Sequence, residues 1–349
     1  MKLLVVIVSY RVTELTIDCL RALAGEIGRV PGTRVALCEN GTGGDAADRL
    51  RRAIDENGWD SWVDLTVIYP NRGFTGGNNA VIRPALESDD PPEYVLLLNA
   101  DTIVQEHALD ALVSFMDAHP GAGVAGSMLI SPDGKVESTP FRFPGIASEL
   151  DRGLRLGVVT KLLSPWSLAL PKRDGPFRAG WVSGASLILR RAVLEQVGLL
   201  DEGLYTYFDD PDICLRAARA GWETWYVPES QVIHLGGATT GLSGKRPPKR
   251  CPPYLHQARR RFFLKNYGAW YTMLADAAFI LGYATWRLRR RLQRKPDADP
   301  PHLLIDSIRH SVFCAGVRVP VVENPAMHPA APEPPVARPR TTRPPSPAP

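Results

Sequence analysis

Leu3-Leu4-Val5-Val6-Ile7-Val8 is apolar at every position and breaks off sharply at Ser9-Tyr10-Arg11. A run this short and uniform reads as a strand buried on both faces. The arrangement recurs along the first third of the chain. Strands are expected over Leu3–Ser9, 34–38, 65–69 and 94–98, and helices over Thr13–Ala24, 45–56 and 77–86. Apolar strands separated by helical crossovers predict an α/β fold with a Rossmann-like, mostly parallel sheet and helices on both faces. In such sheets ligands sit beyond the carboxyl ends of the strands. That directs attention to Ser9-Tyr10, Glu39-Asn40, Asn71-Arg72 and Asn99-Ala100-Asp101, each of which closes a strand.

The pattern loosens over 131–176, punctuated by Pro132, Pro140, Pro144, Pro165, Pro171 and Pro176, and this stretch reads as an irregular insertion or lid. Order returns with a strand over 181–190, a helix over 211–220, and strands over 223–227 and 231–235. The last thirty residues, 320–349, contain eleven prolines and are expected to be a disordered tail, since they cannot build a packed core. The division expected is therefore a sheet domain over 1–242, a basic helical region over 243–315 and a proline-rich tail over 316–349. No internal repeat is present.

With 44% hydrophobic and 22% charged residues in 349, the chain is neither wholly disordered, nor collagen-like, nor a multi-span membrane protein. Five scattered cysteines without a Cys-x-x-Cys pair argue against a disulfide framework or a structural zinc site, and for a reducing cytosolic setting. Only Lys2 precedes the first apolar run, which is too short for a signal peptide.

The net charge of +4 hides an asymmetry: from Ser243 to Lys295 fourteen Lys and Arg face one acid, Asp276, so that segment is +13 and the remainder −9. Such a split predicts contact with an anionic surface. Residues 269–286 are apolar at 14 of 18 positions, short of the roughly 20 needed to span a bilayer. Asp276 near the middle would be costly in lipid. With basic flanks at Arg259-Arg260-Arg261 and Lys265 on one side and Arg287 to Lys295 on the other, a helix lying in the membrane interface is expected. A helix packed on the globular domain is the plainer alternative. Nucleic acid is disfavoured, because no recognition module accompanies the charge.

The candidate chemistry narrows the class. Dinucleotide-binding folds need Gly-x-Gly-x-x-Gly directly after the first strand, where this chain has Ser9-Tyr10-Arg11-Val12-Thr13-Glu14, and there is no Walker loop. Asp101 at a strand end suits a hard divalent cation, which takes oxygen ligands; a plain strand-end turn is the bland reading. His234 precedes Gly236-Gly237, and glycines let backbone approach a phosphate closely; a satisfied core histidine is the alternative. Asp209-Asp210-Pro211-Asp212 gathers three acids at an expected helix start. Capping explains them, with Asp210 as N-cap and Pro211 at the first helical position. So does general-base work, in which a carboxylate takes a hydroxyl proton.

In order, these motifs resemble those of the family 2 inverting glycosyltransferases of GT-A fold, in particular the bacterial rhamnosyltransferase-like branch, over about residues 3–240. The resemblance is carried by Val8-Ser9-Tyr10, Glu39-Asn40, Asn71-Arg72-Gly73-Phe74-Thr75-Gly76-Gly77-Asn78-Asn79, Asn99-Ala100-Asp101-Thr102, Val182-Ser183-Gly184-Ala185, Tyr207-Phe208-Asp209-Asp210-Pro211-Asp212 and His234-Leu235-Gly236-Gly237-Ala238-Thr239. It implies substrate contacts from Ser9, Tyr10, Glu39, Asn71, Gly73, Gly77, Asn78, Asn99, Gly184, Asp209 and Asp212. It further implies Mg²⁺ or Mn²⁺ on Asp101 and His234, and Asp210 as the catalytic base. Glu39 stands where the family has Asp, Asp209 where it has Glu, and Asn99 in place of the first acid of Asp-x-Asp.

The activity implied by the resemblance is a metal-dependent, inverting transfer from a nucleotide-sugar donor. The branch suggests L-rhamnose from dTDP-rhamnose. The acceptor implied is polyprenyl-diphosphate-linked or a polysaccharide, in cell-envelope glycan synthesis, on the cytoplasmic face of the plasma membrane. Two other classes stay open: a catalytically silent nucleotide-sugar or glycan-binding relative, suggested by the three departures, and a sugar nucleotidyltransferase, whose N-terminal Gly-rich basic loop is missing here.

Overall fold

In the computed structural model, residues 1–137, 140–171, 173–236 and 249–322 are described. Gly237, Ala238 and Thr239 of the last motif, and the tail beyond Val322, lie outside the described residues.

The first half follows the apolar pattern. β1 (Leu3–Ser9), α1 (Thr13–Ala24), β2 (Thr33–Asn40), α2 (Ala46–Glu56), β3 (Val63–Ile68), α3 (Gly73–Leu86) and β4 (Tyr94–Asn99) place four parallel strands in the order β3-β2-β1-β4. Side chains alternate between the two faces of a strand. Leu3, Val5 and Ile7 pack with Leu20 and Leu23 of α1, while Leu4 and Val6 pack on the other side with Val81 and Ile82 of α3. Both faces of β1 and β4 are covered, which is why they read as unbroken apolar runs, whereas the edge strand β3 exposes Asp64, Thr66 and Val67.

Next come β5 (Thr102–Val104), α4 (Ala108–Ala118), β6 (Ala122–Ile130), β7 (Pro140–Phe141), α5 (Ile146–Leu154), α6 (Gly157–Leu162), β8 (Phe177–Ala179), β9 (Trp181–Val182), β10 (Ser186–Arg190), α7 (Arg191–Val197), α8 (Asp209–Arg219) and β11 (Glu223–His234). They extend the sheet to β3-β2-β1-β4-β10-β6-β11-β5, with β8 on β11 and β10 antiparallel to both its neighbours. The sheet is mixed but mostly parallel where it carries the strand ends of interest.

Several elements differ from expectation. The strand expected over 181–190 is two strands separated at Ser183 to Ala185. The two expected at 223–227 and 231–235 are one, β11, whose register on β6 shifts between Val227 and Gln231. Pro228 lies in that shift, and proline has no N–H for a ladder. The stretch 131–176 is not irregular throughout: it holds α5 and α6 between its prolines. Helix α8 starts at Asp209 behind a left-handed Phe208, so Asp210 is not its N-cap.

Beyond the sheet lie α9 (Pro253–Leu292), α10 (Leu303–Arg309) and α11 (Val312–Ala315). Gly268, with φ 80°, breaks α9 into two helical halves. The second half lies along α5, and Gly153 meets Gly282 there at backbone distance. Asp276 does not face lipid. It is 2% exposed and pairs with Arg259, while accepting the Val312 N–H at 2.8 Å. Among the described residues no helix is long and apolar enough to cross a membrane.

Candidate active site

The parallel register brings the strand ends together. Ser9 of β1 stands opposite Glu39 of β2, and Val8 opposite Asn99 of β4. The side chains then take different directions. Ser9 is buried and its Oγ lies 2.8 Å from Thr16 Oγ1, so it is turned toward α1. Tyr10 is partly exposed, with the Arg11 guanidinium over its ring. Glu39 is buried and accepts the backbone N–H groups of Gly41 (3.3 Å) and Thr42 (2.7 Å). The extra methylene relative to Asp lets it close this turn.

Asn40 fastens the start of α3. Its Nδ2 donates to Gly73 O at 2.8 Å and its Oδ1 accepts from Arg72 N at 2.9 Å. Asn71 Oδ1 accepts from Gly73 N at 2.7 Å and from the Tyr205 hydroxyl at 3.1 Å. The 71–79 stretch is therefore mostly the first turns of α3 rather than a loop, with Gly77 and Asn78 inside the helix. Gly73 has φ 72°, and a Cβ there would lie 2.4 Å from Tyr205 O. At Gly77 a Cβ would lie 2.8 Å from Val8. These glycines let α3 press against β1 and against the Tyr205 segment. Asn78 donates to Phe74 O at 2.8 Å, and among the described residues its buried Oδ1 has no hydrogen-bond partner.

At the end of β4 three polar side chains, Asn99, Asp101 and Glu137, converge on His234. His234 Nε2 lies 3.6 Å from Asp101 Oδ1 and 3.4 Å from Asn99 Nδ2, and its Nδ1 lies 3.5 Å from Glu137 Oε2. The end of β11 is anchored there, as Leu235 N donates to Asp101 O at 2.9 Å. Burial opposes charge on His234, but Asp101 and then Glu137 outweigh it and raise its pKa. A carboxylate oxygen and an imidazole nitrogen this close are a donor set that a divalent cation shared with a diphosphate fits. Among the described residues no group of three His, Cys, Asp or Glu is gathered to hold a metal by itself.

The acids of α8 stand one strand away. Asn99 N donates to Ala185 O at 3.1 Å. Next to Ala185, Gly184 lies directly against the Asp210 carboxylate. A Cβ on Gly184 would lie 2.5 Å from Asp210 Oδ1, so only glycine admits this contact. Burial pushes both Asp209 and Asp210 up, Asp209 well above the ordinary carboxylate range, and the neighbouring Asp210 charge adds to the rise at Asp209. Tyr205, Tyr207 and Phe208, just before the pair, all have positive φ (34°, 67° and 62°), a backbone state that side chains of this size rarely adopt.

Asp212 points elsewhere. It is fully buried and its carboxylate accepts from Arg216, Lys265 and Asn266, each at 2.9 Å. The structure thus separates it from the Asp209–Asp210 pair. Tyr205, Glu137 and Asn40 join the site without a role expected of them. Only Asn40 carried a signal, as the second residue of a strand-end pair.

Comparison with known proteins bears on the family and the fold. Residues 2–249 match the family described as Glycosyltransferase like family 2. An N-acetylglucosaminyl-diphospho-decaprenol L-rhamnosyltransferase of Mycobacterium tuberculosis is 29% identical over 186 residues, 51% of this chain and 57% of that protein. The dTDP-rhamnosyl transferase RfbF of Shigella flexneri is 22% identical over 227 residues, 64% of this chain and 70% of the relative. The chain thus spans little more than half the length of the mycobacterial protein. The crystal structure of GalNAc-T7 with UDP, GalNAc and Mn²⁺ shares the fold at a TM-score of 0.52 and 15% identity, covering 89% of this chain and 54% of that one. With its strand-end motifs in one place and seven-tenths of its length matched, the chain belongs to glycosyltransferase family 2.

Proposed function

We propose that this glycosyltransferase moves a sugar, with inversion, from a nucleotide-sugar donor to a hydroxyl of a polyprenyl-diphosphate-linked or polysaccharide acceptor in cell-envelope glycan synthesis. The observation that supports the reading is the Asn99–Ala185 backbone hydrogen bond, which ties the strand end bearing Asn99 and Asp101 to the segment whose Gly184 lies against the Asp210 carboxylate. Names of the relatives favour L-rhamnose from dTDP-rhamnose as the donor and a decaprenyl-diphosphate saccharide as the acceptor.

In this mechanism Asp210 accepts the acceptor's hydroxyl proton. The acceptor oxygen forms its bond to the anomeric carbon while the bond from that carbon to the diphosphate breaks, its electron pair leaving on phosphate oxygen. Asp209, whose carboxyl pKa burial raises well above the ordinary range, stands beside Asp210, and Gly184 packs against the Asp210 carboxylate from the other side. Asp101 and His234 would hold Mg²⁺ or Mn²⁺, which supplies charge neutralisation for the departing diphosphate. Tyr10, Glu39 and the Asn71 to Asn78 segment would line the nucleotide side.

The test is a panel of nucleotide sugars with purified protein, with and without Mn²⁺, followed by transfer to a decaprenyl-diphosphate saccharide. Turnover that needs the cation and disappears in Asp101→Ala is expected. Donor binding without turnover on any donor would replace this reading with a silent binding relative. Full turnover in excess chelator would remove the metal.

A further inference from the structure

The second half of α9 carries large apolar side chains both on the side packed inward and on the side turned outward. Thr272, Ala275, Asp276, Phe279, Gly282 and Tyr283 are buried. On the opposite side Trp270, Leu274, Leu281, Leu288 and Leu292 stand 80%, 58%, 67%, 61% and 76% exposed. Their spacing of four, seven, seven and four residues keeps all five on one stripe, because 3.6 residues make a turn. The stripe runs for about 33 Å at 1.5 Å per residue. The one acid of this half, Asp276, is on the inner side and held by Arg259 and the Val312 N–H. Exposed Arg291, Arg294 and Lys295 stand at the stripe's carboxyl end.

We infer that this outer stripe of α9 is a docking surface for an anionic lipid membrane, entered sideways by the five apolar side chains while the terminal cations meet headgroups. An aligned row of large apolar side chains in water is unfavourable and marks an interaction site. A helix held down by one face with an apolar row on the other can sit at the headgroup boundary without spanning. Charge decides between lipid and a second copy of the chain. The stripe and its margins carry cations and no exposed carboxylate between residues 269 and 292, so two copies laid face to face would bring like charges together. Anionic headgroups supply the missing sign. The inference deepens the reading of a lipid-borne acceptor and rests on it for its purpose. Its test needs neither donor nor acceptor.

The experiment is co-sedimentation of the full chain with vesicles of phosphatidylcholine, with or without phosphatidylglycerol. Binding should require the anionic lipid and weaken as salt rises. The variant Leu274→Ser/Leu281→Ser/Leu288→Ser, altered only at exposed positions, should bind at least about tenfold more weakly, while Val67→Ser, at an exposed residue of β3, binds like the parent. Melting temperature confirms that each variant is folded. No binding by the parent, or undiminished binding by the triple variant, overturns the inference. So does a stable dimer that the triple variant converts to monomer. Vesicle binding by a chain without transferase activity would sink the proposed function and leave the docking surface standing.

Discussion

Lys265 Nζ lies 2.9 Å from both carboxylate oxygens of Asp212 and 2.8 Å from Oδ2 of Asp201, so one ammonium from α9 joins the two ends of the segment that carries Asp209 and Asp210. Arg261 adds a bidentate contact to Asp201 at 2.8 and 3.0 Å. The basic region is thereby part of the catalytic domain's support, beyond any role at a surface.

Replacing Lys265 by Met should lower stability by about 1.5–3 kcal/mol, the usual worth of a hydrogen bond to a charged group. Lys265→Arg should recover part of it. Asp201 adds a pH signature. Burial opposes its ionisation, but Arg261 and Lys265 bring its pKa down to about 2. Its folded pKa is thus below the unfolded value of 3.8, and its contribution is complete above that value and lost as pH falls toward 2. Denaturant melts of the parent and Asp201→Asn across acidic pH check this: the variant should lose less stability on acidification.

Asp210→Asn should cut turnover by about 10² to 10⁴ and leave donor affinity near the parent's, since a base acts in the transition state. Asp209→Asn keeps the size and polarity of the side chain beside Asp210 and should be far milder than Asp209→Ala. Calorimetric donor binding beside turnover separates the roles. Near-normal turnover in Asp210→Asn would move the base elsewhere.

The acid limb of kcat/KM should lie above the ordinary carboxylate value of 3.8, because burial raises Asp210. Stability should show the opposite slope. A carboxyl with a raised folded pKa binds more protons folded than unfolded, so Asp209 withdraws stability as pH climbs from 3.8 through its raised pKa. Asp209→Asn should flatten that decline in unfolding experiments over the same pH series.

Gly184→Ala should fold and still bind donor but lose most of its turnover. The added Cβ would lie 2.5 Å from Asp210 Oδ1, a side-chain end that can swing aside at the expense of its position. Parent-like turnover would show that Asp210 keeps its place without the Gly184 contact.

The first strands were legible because β1 and β4 are apolar on both sides and β2 and the edge strand β3 alternate with them around helices, and the strand-end residues followed from them. Helix starts were not. Residues 73–76 fall outside the helix expected over 77–86, since three glycines among residues 73–77 disfavour a helix, yet here Gly73 and Gly77 make room for Tyr205 and Val8. Asp210 looked like a cap, and only the left-handed Phe208 ahead of it moves the helix start to Asp209. Residues 269–286 could be read as apolar and basic but not as two-faced, because which side Asp276 occupies depends on Arg259 and Val312, seventeen and thirty-six residues away. Within 131–176, the prolines masked α5, although Ile146, Leu150 and Leu154 recur at helical spacing.

At the crossing of α5 and α9 two glycines meet. A Cβ on Gly153 would lie 2.6 Å from Phe279 O, and one on Gly282 would lie 3.0 Å from Leu150 O and Leu154 N. No side chain there can rotate or compress, so the two helices behave as one beam whose thickness is set by backbone atoms alone. If the outer side of that beam rests on a bilayer, the insertion between β7 and β8 is carried at a fixed stand-off from the lipid. A bulkier residue at either glycine would then act as a spacer, altering how long a lipid-borne acceptor must be to reach the reaction centre while leaving the centre itself untouched.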